Sequence, residues 1–182
     1  GAGLSADINT FENLKVYGLS VCSAITYQDE DSFEAVDWIS GNKIITQLDI
    51  LLKKYEVNYI KVGLIESFNS LKKVLTFLNQ NYPEVKVIWD PILRATSGFT
   101  IHSIFNGLDL LLKSIYVLTP NRKEILQLTG LTDSIDASRT LSTHTHLLLK
   151  GGHAKDHATD LMFFHREKLF EVQGDRFKSC DK

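Results

Sequence analysis

The stretch SFNSLKKVLTFLNQNYPEVKVIWDP, residues 67–91, decides the fold class. Phe68, Leu71, Leu75 and Leu78 recur at helical spacing and predict a helix over Ser67 to Asn81. Pro83 then leads into Lys86 to Asp90, a short β-rich run. A helix feeding a short apolar strand is one βα unit, and repeated units of this kind build a mostly parallel sheet.

The same alternation extends in both directions. Upstream, Leu4, Ile8, Phe11 and Leu14 share a face and predict a helix from about Ser5 to Tyr17, with Gly18 suited to its C-terminal cap. Leu19 to Tyr27 reads as a buried strand that encloses Cys22 as a small core residue. Ser40 is suited to cap a second helix carrying Ile44, Leu48, Leu51 and Leu52, and Asn58 to Gly63 follows as a strand. Downstream, a polar loop over Arg94 to Gly98 precedes a helix over about His102 to Lys113 and a strand over Ser114 to Leu118. Pro120 is expected in the first turn of the next helix. Asp133 to Ser142 is at most a short helix, His146 to Lys150 a strand, and Asp160 to Phe164 with Leu169 to Val172 a hairpin turning near Arg166-Glu167. No internal repeat or linker interrupts the pattern, so residues 1–182 read as one α/β domain.

Composition narrows the function. Of 182 residues, 43% are hydrophobic and 23% charged, which fits a globular domain. The formal net charge of -2 provides no bulk field to attract nucleic acid or anionic lipid. Cys22 and Cys180 are too few for a disulfide framework, and no signal peptide or long apolar run stands out, so a cytoplasmic setting is expected. The chain opens at Gly1-Ala2-Gly3 without Met and stops at Ser179-Cys180-Asp181-Lys182 directly after a strand-like segment, so both ends read as truncated.

In open parallel sheets, ligands bind beyond the carboxyl ends of the strands. Lys61 to Glu66, Asp90-Pro91, Thr119-Pro120-Asn121 with Glu124, and Lys150-Gly151-Gly152-His153 all fall there. Each has a purely structural alternative: a turn glycine, an Asp-Pro turn, or a capping box between Asn121 and Glu124. Taken together they suggest a phosphate site. Lys150 supplies a point charge, and Gly151 and Gly152 allow an anion to approach the backbone N–H groups. Glu124 and Asp90 supply carboxylates of the kind that hold Mg²⁺ mainly through water and phosphate. There is no GxxxxGK[ST] loop, and no GxGxxG follows a first strand. Five of the six histidines, His144, His146, His153, His157 and His165, cluster late in the chain; without a third ligand placed to close a zinc site they read as exposed loop residues.

These motifs, in this order, resemble one family: the hydroxymethylpyrimidine and hydroxymethylpyrimidine-phosphate kinases of thiamine biosynthesis, within the ribokinase-like fold. The resemblance rests on Gly1-Ala2-Gly3 with Ala6-Asp7, Tyr17-Gly18 leading into Ser23 to Gln28, Lys61-Val62-Gly63-Leu64, Asp90-Pro91 with Thr96-Ser97-Gly98, Leu118 to Asn121 with Glu124, and Lys150 to His153. It implies a three-layer α/β/α sandwich and an ATP-dependent phosphotransferase using Mg²⁺. It further implies that Asp7 and Gln28 hydrogen-bond an aminopyrimidine, with Gly3 in the same pocket and Leu64 and Ile92 walling the ring. Asn121 and Glu124 match a family motif associated with magnesium and the nucleotide phosphates. Lys150 matches a phosphate-contacting lysine, and Asp90 a carboxylate near the transfer site. The family also carries a first strand ahead of Gly1 and, beyond Lys182, a Gly-Thr/Ser-Gly-Cys segment at a helix N-terminus with a catalytic cysteine, and its members are commonly dimers. The stretch between Gly130 and His146 is shorter than is usual there. A pyridoxal or pyridoxine kinase is the alternative within the fold, and a ligand-binding remnant without turnover is the alternative outside catalysis.

Overall fold

The computed structural model describes residues 3–29, 32–93, 107–151 and 158–174. The described residues up to 86 form one compact unit and those from 87 onward a second.

The first unit begins with α1 (Leu4–Asn13). Gly3 precedes it at φ 80, a left-handed conformation that favours glycine, and its carbonyl accepts from the N–H groups of Ala6 and Asp7. The helix ends earlier than the predicted Tyr17. Lys15 takes φ 57, its N–H reaches the Glu12 carbonyl at 3.0 Å, and the Val16 N–H reaches that of Phe11 at 2.8 Å. This is a Schellman cap with lysine where glycine is usual. Gly18 serves a steric purpose instead. A Cβ there would lie 2.8 Å from the Phe11 ring and 2.9 Å from Ile8, so its bareness lets the outgoing chain pass against α1.

The predicted buried strand over Leu19 to Tyr27 is corrected. Strand β1 is confined to Ala24–Gln28 and pairs antiparallel with β2 (Phe33–Trp38), a strand that hydrophobic patterning does not reveal. Ile25 and Tyr27 are about half exposed. An antiparallel ribbon of this kind can leave a face to water, unlike a strand of a parallel sheet. Cys22 therefore precedes the strand and is only partly buried. The Gln47 side-chain amide pairs with both its N–H and its carbonyl, at 3.1 and 3.0 Å. Helix α2 (Gly41–Leu52) starts after Ser40 as expected, although the Ser40 side chain makes no capping bond. Helix α3 (Phe68–Asn81) is capped by Ser67, whose Oγ accepts from the Ser70 N–H at 3.2 Å. Ile44 and Leu48 of α2, with Leu71, Val74, Leu75 and Leu78 of α3, are buried core residues of this unit. Strand β3 (Tyr59–Val62) lies between the two helices in sequence.

The second unit contains, in chain order, the end of β4 (Lys86–Trp89), α4 (Leu108–Leu112), β5 (Val117–Leu118), α5 (Arg122–Thr129), α6 (Ser134–Leu141), β6 (His146–Leu149), β7 (Ala158–Phe164) and β8 (Glu167–Gly174). Its strands lie in the order β4-β5-β6-β7-β8. β4 pairs parallel with β5, opposing Ile88 to Val117, and β5 pairs parallel with β6, opposing Val117 to His146. β7 and β8 then add antiparallel. The α/β class with parallel strands at its centre is as expected. Of the predicted helix over His102 to Lys113, α4 is the helix within the described residues; the loop Arg94 to Gly98 lies outside them.

Pro120 does not enter a helix. Asn121 is the N-cap of α5, accepting from the N–H groups of Lys123 and Glu124 at 2.9 Å each, while the Glu124 carboxylate accepts from the Asn121 N–H at 2.7 Å. This reciprocal capping box places the N-cap one residue past proline and the first helical residue, Arg122, two past it. Asp133 caps α6 through the N–H groups of Ile135 and Asp136. The β7–β8 hairpin turns at His165 and Arg166, with φ 49 and 69, one residue before the predicted position. Two left-handed residues in succession match the twist of a two-residue hairpin.

The core of this unit gathers Trp89, Leu112, Leu118, Ile125, Leu147, Leu149 and Phe163, each at most 2% exposed. Leu118→Ala is expected to cost about 2–5 kcal/mol in denaturant unfolding, whereas Leu110→Ala, at a position 71% exposed, should leave the midpoint nearly unchanged. Asn121→Ala should cost about 1 kcal/mol in the same measurement by removing the acceptor of the capping box.

Candidate functional site

In the second unit, three consecutive parallel strands deliver polar residues at their carboxyl ends. Asp90 follows β4, Thr119-Pro120-Asn121 follows β5, and Lys150-Gly151 follows β6. Backbone bonds hold these ends level. The Thr119 N–H donates to the Trp89 carbonyl and the Lys150 N–H to the Pro120 carbonyl, both at 2.9 Å, and Asn121 and Lys150 form a parallel bridge. Above them, Lys150 Nζ donates to Asp90 Oδ1 at 2.6 Å. Their side chains are 35% and 20% exposed, so the pair is partly shielded yet open to a ligand. Ile92 is 39% exposed and turns back on Asp90 through a 2.9 Å backbone bond.

Asn121 and Glu124 meet, and their contact is in the first place structural. The Asn121 Oδ1 accepts from two backbone N–H groups, and the Glu124 carboxylate accepts from the Asn121 N–H in return. Gly151 is buried, and its N–H donates to Asp160 Oδ1 at 2.7 Å. A Cβ at Gly151 would lie 1.9 Å from the Thr159 carbonyl oxygen, so no other residue fits there without backbone movement. Gly152 and His153 lie outside the described residues, as does His157.

The first unit holds the other predicted residues. Asp7 sits in the first turn of α1, where the helix dipole favours a carboxylate, and accepts from Lys61 Nζ, the ammonium at the end of β3. Gln28 closes β1 beside a register shift between Tyr27 and Gln28, where Glu34 of β2 is left without a partner in the ladder, and it is exposed. Next to it the Tyr27 hydroxyl donates to Asp37 at 2.8 Å, and that bond, with the Asp37 charge, holds the phenol above its usual pKa. The Leu64 carbonyl accepts from Ser23 Oγ at 2.6 Å, which ties the chain leading into β1 to the segment after β3.

Sequence reasoning assigns no individual role to Lys61 or Asp160. Lys61 is visible there only as part of a motif. Asp160 carries a signal of its own, since aspartate is depleted in strands and this one stands inside β7 among β-formers.

Among the described residues, no three His, Cys, Asp or Glu side chains gather as a metal cluster, and no helix is long and apolar enough to cross a membrane. His144, His146 and His165 do not converge as ligands; the His146 ring stacks on Phe164 at 4.0 Å instead.

The phosphomethylpyrimidine kinase family model matches residues 1–182. A hydroxymethylpyrimidine/phosphomethylpyrimidine kinase of Bacillus subtilis (strain 168) is 30% identical over 175 residues, covering 90% of this chain, and the chain spans 64% of that protein's length. The crystal structure of phosphomethylpyrimidine kinase from Clostridium difficile 630 superimposes with a TM-score of 0.74 at 25% identity, over 95% of this chain and 78% of that one. A pyridoxal kinase from Staphylococcus aureus, solved with AMP-PCP, gives 0.79 at 25% identity over 99% and 69%. Matched by this family model along its whole length, the chain belongs to the phosphomethylpyrimidine kinase family.

Proposed function

We propose that the protein, with residues 1–182 as a ribokinase-like kinase domain, transfers the γ-phosphoryl group of ATP to the hydroxymethyl group of 4-amino-5-hydroxymethyl-2-methylpyrimidine. It then phosphorylates the monophosphate to the diphosphate, in a cytoplasmic setting and as a homodimer. The observation that carries this reading is the Lys150–Asp90 pair at the aligned ends of β4, β5 and β6. Phosphoryl transfer asks for positioning and charge stabilisation more than for covalent help. An ammonium has three N–H donors, so Lys150 can meet a phosphate oxygen while it still donates to Asp90. Hard oxygen donors suit Mg²⁺, and the carboxylates of Glu124 and Asp90 would hold it, largely through water, with Asn121 fixing the helix turn that presents Glu124. Bound there, the ion would neutralise charge on the phosphates.

For the acceptor, Asp7 and Gln28 of the first unit offer the hydrogen-bonding groups an aminopyrimidine edge requires, and Gly3 and Leu64 of the same unit are assigned to that pocket with them. A pyridoxal kinase is the second reading, supported by the likeness to the pyridoxal kinase fold. A binding remnant is the third.

ADP release measured with Mg²⁺-ATP and either the pyrimidine or pyridoxal decides among them. Turnover preferring the pyrimidine is expected; preference for pyridoxal favours the second reading, and silence with both the third. Lys150→Met should lower kcat by about 100-fold or more, as loss of a charge-stabilising donor does. Gln28→Ala should raise KM for the pyrimidine more than KM for ATP. Equal losses for both would remove Gln28 from the pocket.

A further inference from the structure

Lysine is a long side chain on a flexible stem, and its head is useful at a phosphate only if its backbone is fixed. Lys150 directly follows β6, and Gly151 comes next in the chain. Three constraints meet at this pair of residues. The Lys150 N–H is bound to Pro120 on one side. The Gly151 N–H is bound to the Asp160 carboxylate at 2.7 Å on the other. The Thr159 backbone presses so close to Gly151 that a Cβ would lie 1.9 Å from its carbonyl oxygen.

A backbone N–H to a carboxylate is a charge-assisted bond, stronger than a neutral one. It also occupies the donor that the glycine sequence would otherwise offer to an anion. Gly151 is thus bare so that β7 can approach it, and Asp160 closes that approach.

We infer that Asp160 is a positioning residue for phosphoryl transfer: by accepting the Gly151 N–H it fixes the backbone from which Lys150 reaches Asp90, and it acts on phosphate only through Lys150. The inference rests on the phosphate-handling role proposed above for Lys150. It assigns the Gly151 N–H to the scaffold instead of to the nucleotide.

The test compares Asp160→Ala, Asp160→Asn and Lys150→Met in the full protein, by steady-state kinetics with Mg²⁺-ATP and the pyrimidine and by hydrogen exchange at the Gly151 amide. Asp160→Ala should lower kcat by about 10- to 100-fold, the scale of a misplaced reacting group, and leave KM for the pyrimidine unchanged. Asp160→Asn keeps an acceptor oxygen and should recover most of that loss. Exchange at Gly151 should accelerate at least about tenfold in Asp160→Ala, with Leu147 in β6 unaffected. Wild-type kcat in Asp160→Ala beside a crippled Lys150→Met would overturn the inference, as would equal losses in Asp160→Ala and Asp160→Asn. If Lys150→Met itself turned over normally, the phosphate reading would fail; the anchor would then be judged on exchange alone, and unchanged exchange at Gly151 would overturn it too.

Discussion

Lys150 donates its backbone N–H to Pro120 and Thr119 donates its own to Trp89, and these two bonds carry the parallel ladder of β4, β5 and β6 one step past the last strand residues. Parallel pairing directs all three carboxyl ends the same way, and near-common register brings them to the same level. Asp90, Asn121 and Lys150 are separated in sequence but become neighbours through this ladder. A one-residue slip at β6 would turn Lys150 to the other face of the sheet, since side chains alternate along a strand. Leu147 and Leu149, both nearly inaccessible, oppose that slip, because it would bring them out of the core.

The elements whose buried faces follow a helical period were legible from the sequence. Helix α3 begins and ends where Phe68, Leu71, Leu75 and Leu78 place it, because a single amphipathic stripe with a serine cap leaves few other solutions. Strand β2 was missed because Phe33-Glu34-Ala35-Val36-Asp37-Trp38 mixes charge with apolar residues, as an exposed ribbon does, and because its partner resembled a core strand. The end of α1 was misplaced because Lys15 adopts a conformation that sequence rules reserve for glycine. Gly18 drew attention as a cap when its role is steric.

At the candidate site, polar residues directly after apolar strands were conspicuous, so Asp90, Asn121, Glu124 and Lys150 could be picked out before their geometry was known. The Lys61–Asp7 and Asp160–Gly151 contacts could not be, because each joins residues from separate elements whose meeting depends on tertiary packing. Asn121 and Glu124 make the structural alternative that the sequence offered for them. The capping box is real, and it orients the Glu124 carboxylate in the first turn of α5.

Strand β5 consists only of Val117 and Leu118, yet it stands between β4 and β6. The bonds flanking it, from Thr119 to Trp89 and from Thr145 to Ile115, each join residues 30 positions apart. Such a strand gains nothing from its neighbours in sequence and can form only once both crossovers have closed. The β7–β8 hairpin, by contrast, closes across a two-residue turn. Local contacts of that kind form in microseconds, whereas long-range parallel pairing is slow because loop closure comes first. In the order of folding, the middle of the sheet therefore comes last, and Asp90, Asn121 and Lys150 come together only when the chain has finished folding around them.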